Sequence, residues 1–252
     1  MSMTLIRMRS SKSSDPSALN MMQRLISSDK GAGRDMRIIR DEAMNESSHM
    51  AVMEVRYPDR SEWDISAFEQ LRDRELDAIR KEGEEYDRET WFRQDAYFRY
   101  FRKFKKTYPV MMQVESFLLK GRPFPEGKYI NAVAFLTELR TRILMGTHDA
   151  ERVEGDIVIY TETEKVPFPS IHGSEGHSYP GDTTGCDDIG VIISMIAGAD
   201  SRTCLQDDSS HVLYLAFGTP STSPEVLDEC LDQAEIYVKT LAPSAEIQRH
   251  FV

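Results

Sequence analysis

The sequence predicts a mixed α/β (α+β) domain in which a mostly antiparallel central sheet is flanked by helices. Three observations point to it. Ile130, Val133, Leu136, Leu139 and Ile143 recur at helical spacing, so Tyr129 to about Leu144 reads as one largely buried helix. Three short runs, Val52–Tyr57, Ile157–Tyr160 and His211–Phe217, are rich in β-branched and aromatic residues and suit strands. After Tyr160, Thr161–Ile171 continues as a turn and a return strand.

The remaining elements follow in chain order. Residues 1–49 read as a poorly ordered extension, because 10–17 is Ser-rich and Lys30-Gly-Ala-Gly-Arg34 interrupts any helix, with one short helix expected over 18–26. Ser66 is the expected cap of a helix carrying Phe68, Leu71, Leu76 and Ile79 and ending near Gly83. Asp87 caps the next, Arg88 to about Lys106. Tyr97, Phe101, Phe104 and Tyr108 share one of its faces, and Arg99, Arg102, Lys103 and Lys106 lie on another. Val110–Lys120 is helical in period and stops at Gly121-Arg-Pro123; its Gln113, Glu115 and Ser116 face either a pocket or solvent. Gly146 is expected to stop the central helix, with Gly146-Thr-His-Asp149 as a polar turn. In His172–His177, Gly173 and Gly176 supply turn conformations, and Val191–Gly198 reads as an apolar strand with one hydroxyl, Ser194. Ser223 and Pro224 open the last helix, with Val226, Leu227, Leu231, Ala234 and Val238 inward.

Composition narrows the function classes. The 252 residues carry 31 Lys and Arg against 42 Asp and Glu, a net charge of −11, which argues against a broad nucleic-acid-coating surface and makes DNA an unexpected partner. The three cysteines, Cys186, Cys204 and Cys230, are scattered and no His-x-x-x-His pair occurs, so neither a disulfide framework nor a metal site is expected. Phosphate-cradling Gly-rich loops are missing, and no cofactor is expected. No apolar run approaches a membrane span and no secretory leader pattern opens the chain, so a cytoplasmic protein with no membrane contact is expected.

The stretch from Tyr129 to Val158 has a specific grammar: helix, a turn ending in Asp149, then Arg152, Val153, Gly155 and a strand. It resembles the B3/B4 domain, the editing module of the phenylalanyl-tRNA synthetase β subunit. The resemblance extends over roughly 108–242, taking in the 172–177 hairpin, the Pro180-Gly-Asp182 turn and a strand running to Ala-Gly198. It implies a B3/B4-like sheet and a pocket wall near Ser194 and Gly198. It also implies binding of an aminoacyl-tRNA 3′ end or a related amino-acid conjugate, with or without hydrolysis of mischarged tRNA in trans. Two departures stand out. Gly146 occupies the position of the family's histidine, with His148 two residues later, and Val212–Ala216 lacks the family's last-strand carboxylate. The synthetase's catalytic core and ATP motifs are missing, so aminoacylation is not expected.

Ester hydrolysis by such a domain needs a positioned water and polar groups that orient the substrate, not a nucleophilic side chain. His148 is the candidate base, with Asp149 or Glu154 to fix its tautomer. Glu115 and Glu175 are candidate substrate contacts, Glu175 for the amino group, and Ser194 is a candidate bond to a substrate hydroxyl. Arg202 is either a phosphate ligand or a loop anchor, and His148-Asp149 equally suits a capping pair. Arg99, Arg102, Lys103 and Lys106 form either an RNA-contacting ridge or a solvated basic face. The alternative to tRNA is a non-catalytic module that binds a small amino-acid-like ligand.

Overall fold

The computed structural model describes residues 36–171, 173 and 175–252. The short helix expected at 18–26, and the expected extension as far as residue 35, fall outside the described residues. Ile38–Arg40 forms strand β1, which runs parallel to β4 (Ile157–Thr161). β7 (Thr183–Cys186), β8 (Val191–Ser194) and β9 (Gly198–Ala199) complete this sheet in the order β1-β4-β7-β8-β9. A second, wholly antiparallel sheet has the order β11-β2-β10-β3, from Glu246–Phe251, Met50–Arg56, His211–Phe217 and Met145–Asp149. β5 (Pro167–Pro169) and β6 (Glu175–His177) make a separate hairpin. The return strand after β4 is therefore β7, not the 161–171 segment. β11 is absent from the sequence reading because Glu246-Ile-Gln-Arg-His-Phe251 is the polar pattern of a solvent-facing edge strand.

The helices are α1 (Ile65–Glu82), α2 (Arg88–Phe92), α3 (Ala96–Lys103), α4 (Pro109–Leu118), α5 (Tyr129–Thr141) and α6 (Pro224–Leu241). Asp64, not Ser66, caps α1, its carboxylate accepting from the Ala67 N–H. The expected single helix from Arg88 to Lys106 is two, because Asp95 accepts from the Phe98 N–H and starts a new one. α5 ends at Thr141, where Arg142 takes a left-handed conformation (φ 61°) and donates to the Glu138 carbonyl.

Period-two alternation divides each strand of the second sheet between two partners. Tyr214 donates to the Ile130 carbonyl, tying that face to α5. α6 buries Leu227, Leu231, Ala234 and Val238 as expected, whereas Val226 stays 42% exposed. On the opposite face the two sheets meet at Gly146, and Gly185 is crowded by neighbours within its own sheet. A Cβ at Gly146 would lie 2.8 Å from Ile193 Cδ1, and one at Gly185 2.9 Å from both Ile159 and Ile193. Gly146 is thus a close-approach residue in β3 and not a helix stop. Gly218 has the tightest backbone neighbour: its N–H donates to the His49 carbonyl, and an added Cβ would sit 2.5 Å from that oxygen. Gly218→Ala is expected to cost about 2 kcal/mol, read as a lower urea midpoint at unchanged m-value.

Candidate functional site

The basic edge is built by α3. Tyr97, Tyr100 and Phe101 turn inward, and Tyr97 stacks on Tyr108 at 5.4 Å between centroids. That burial leaves Arg99, Arg102 and Lys103 exposed. The helix closes with Lys105 left-handed (φ 57°) and the Lys106 N–H donating to the Phe101 carbonyl. Aromatic rings sit among the cations: the Arg102 guanidinium lies 5.6 Å from the Phe98 ring and the Lys106 ammonium 5.3 Å from Tyr179. Among the described residues, Arg99, Arg102, Lys103, Lys105 and Lys106 form no ion pair, whereas Arg72, Arg80, Arg88, Arg140, Arg202 and Arg249 all do. Where carboxylates outnumber cations, five adjacent unpaired cations form a local positive field.

A buried polar network forms a wall behind this edge. Tyr179-Pro-Gly-Asp182 is a tight turn closed by Asp182 N–H to the Tyr179 carbonyl, with Gly181 at φ 87°. It delivers Asp182 into the interior, where Oδ2 accepts from Ser194 Oγ and from the Ile196 N–H (3.2 Å). Ser194 Oγ in turn accepts from the Ala197 N–H at 2.9 Å. Tyr100 reaches the same carboxylate from α3, 3.3 Å from Oδ1. Burial, with no cationic partner among the described residues, pushes Asp182 up to about 7. Thr184, paired with Ser194 across β7 and β8, has a buried hydroxyl with no hydrogen-bond partner among the described residues.

His148 lies elsewhere, in β3 opposite Leu213, and is fully buried. Its Nδ1 is 2.7 Å from Thr203 Oγ1, and that hydroxyl donates to Asp200. The threonine proton is therefore committed, so His148 carries its own proton on Nδ1 and leaves Nε2 as an unpartnered acceptor. Desolvation, with Arg202 nearby, holds the imidazole neutral, its pKa lowered to about 4. Asp149 points to the other side of the strand, where it accepts from Ser209 and from the Glu151 N–H and pairs with Arg152. Glu154 is exposed, and its N–H donates to Asp187. Neither carboxylate sets the His148 tautomer. Thr203 does, through an Asp200 turn in which the Thr203 N–H also donates to Asp200.

The other expected contacts are dispersed. Glu115 faces neither pocket nor solvent: it is bound by Arg88 and by the Tyr86 hydroxyl, and Arg88 holds its carboxyl below the usual range. Glu175 is exposed on the β5–β6 hairpin, beside a surface cleft of about 460 Å³ lined by Pro167, Phe168, Pro169 and Ser201. Arg202 anchors a loop, binding Asp187 and the Arg152 carbonyl, both at 2.7 Å. Of the expected set, the structure brings the basic edge to the Ser194 wall, and separately gathers Glu154 and Arg202 on Asp187 with His148 nearby. Tyr100, Tyr179 and Asp182 complete the pairing of edge and wall.

No family profile and no curated protein matches this chain. Among solved structures, an N-terminal fragment of the phenylalanyl-tRNA synthetase β subunit from Pyrococcus horikoshii is similar over 85% of this chain. The TM-score is 0.43 and the identity 11%, and the likeness covers 50% of that fragment. The chain thus spans about half the length of that protein fragment. Among the described residues, no group of His, Cys, Asp and Glu could hold a metal ion and no helix is long and apolar enough to cross a membrane.

Proposed function

We propose that this protein binds RNA, of the aminoacyl-tRNA acceptor type or a related amino-acid conjugate, along α3 and the adjoining turn that begins at Tyr179. What carries the proposal is the run of five exposed, unpaired cations from Arg99 to Lys106, interleaved with Phe98 and Tyr179. Phosphates supply the missing counter-charge, and rings beside cations suit unstacked bases at a single-stranded end. In this proposal His148 is structural. A general base must reach its proton within hydrogen-bond distance, and this imidazole is sealed between the sheets.

The test is binding of unfractionated tRNA at several salt concentrations by the wild type and by the Arg102→Glu, Lys103→Glu variant. Both side chains are exposed and unpaired, so the fold should persist. The wild type should show a negative slope of log affinity on log salt of about 0.7 to 0.9 per phosphate contacted, and the variant at least about tenfold weaker binding. A module that takes only a small amino-acid-like ligand would show neither.

A further inference from the structure

Asp182 sits where three elements meet, and nothing there neutralises it. Tyr100 of α3, the 179–182 turn and the Ser194–Ala197 turn all bond to it or to its partners, and no ion pair reaches it among the described residues. The titratable groups beside it are Tyr100 from α3, Tyr160 from β4 and Glu162, which follows β4 and donates its N–H to the Asp182 carbonyl; all are neutral or acidic. The Tyr100 hydroxyl is 3.3 Å from two acceptors, Asp182 Oδ1 and the Gly181 carbonyl, and its oxygen accepts from the Thr183 N–H. That geometry serves both protonation states. With the carboxylate ionised, Tyr100 O–H donates to Oδ1. With a proton on Oδ1, that O–H donates to the tyrosine oxygen, and Tyr100 O–H turns to Gly181. Oδ2 keeps Ser194 and Ile196 in either state, so the added proton belongs on Oδ1.

The same turn touches the basic edge. Tyr179 carries Lys106 on its ring and meets Phe104 edge-on at 6.2 Å, and Phe104 packs towards Gly181. Asp182 thus places one negative charge behind the cations that would hold phosphate. We infer that Asp182 is a proton-linked modulator of this edge: taking up a proton reverses its hydrogen bond with Tyr100, removes the opposing charge and strengthens polyanion binding. The inference rests on the RNA-binding proposal and adds its regulation. Burial supports it, since it moves the titration of Asp182 up to about 7. Linkage makes the effect reciprocal, so bound RNA draws a proton onto Asp182.

The experiment compares tRNA affinity of the full chain and of Asp182→Asn at about pH 6 and about pH 8, at constant ionic strength. Asn can reproduce the protonated pattern, with its oxygen towards Ser194 and Ile196 and its amide N–H towards Tyr100. The wild type should bind about threefold more tightly at the lower pH, the size expected of one charge within about a Debye length. Asp182→Asn should lack that increment and bind at the higher pH as the wild type does at the lower. Equal pH dependence in the two proteins overturns the inference alone, whereas no binding by either at any pH overturns the RNA proposal and the inference with it. Should the variant fail to fold, calorimetry of the wild type near neutral pH in buffers of different ionisation enthalpy decides. Net proton uptake supports the inference, and none overturns it.

Discussion

Replacing Arg202 with methionine should lower stability by about 3 kcal/mol, because it strands two buried carboxylates. Asp187 and Asp200 have side chains 0% and 2% exposed, and Arg202 is the cation that pairs with both. Neither acid would be left bare. Asp187 keeps the N–H groups of Glu154, Ile189 and Gly190, and Asp200 keeps Thr203. That retained bonding puts the expected cost at the lower end of the range for broken buried pairs. Lysine should rescue only part of it. One ammonium cannot reproduce a guanidinium that holds Asp187 through Nη2 and the Arg152 carbonyl through Nη1. The measurement is a urea unfolding curve with tRNA binding alongside. If Arg202 were a phosphate ligand, its loss would weaken binding and leave the urea midpoint nearly unchanged. The pair is buried, so the stability loss should persist in high salt.

The periodic apolar elements were legible in the sequence. β4 and α6 bury residues spaced at the period of the element itself, and α5, β2 and β10 are apolar runs buried on nearly every side. β3 was not, because Met145-Gly-Thr-His-Asp149 has neither apolar alternation nor β-branched enrichment, and β10 alone makes it a strand. Misreading it as a turn had a chemical consequence. Two neighbours in a turn can cooperate, but in a strand they face opposite sides, so His148 and Asp149 belong to different networks. Glu115 failed as a pocket residue for a related reason: its partners, Arg88 at the start of α2 and Tyr86 just before it, lie 27 and 29 residues earlier and meet it only in the folded chain. The basic edge was visible as a helical face. The wall beside it was visible only as Ser194, since Asp182 gains its meaning from the β7–β8 register and from Tyr100, 82 residues away. The one available signal was the Pro180-Gly-Asp182 turn, in which a glycine at i+2 aims the next residue inward.

Stability should fall by about 2 kcal/mol between about pH 6 and about pH 8, the reverse of the usual carboxylate trend. Two buried acids set the sign. Glu138, whose Oε1 accepts from the Met145 N–H, and Asp182 are both raised by burial to about 7, well above their unfolded values. Above that pH both are ionised in the folded and the unfolded chain, and the native state bears the full cost of two desolvated charges. As pH falls through 7 the native state takes up protons that the unfolded state does not, so folding is favoured. His148 opposes this on the acid side. Its folded pKa is lowered to about 4, so below about pH 6.5 the unfolded chain gains a proton that the buried imidazole refuses. The three together leave a net native uptake of about one proton near pH 6, and the slope follows from it. Variants separate the contributions. Glu138→Gln or Asp182→Asn should each flatten the fall between pH 6 and pH 8, whereas His148→Gln should steepen it below about pH 6.5. Urea midpoints across that range, at constant ionic strength, read all three. A wild-type profile that rises from pH 6 to pH 8 would mean that Glu138 and Asp182 ionise as exposed acids do, and would remove the buried-acid account of both.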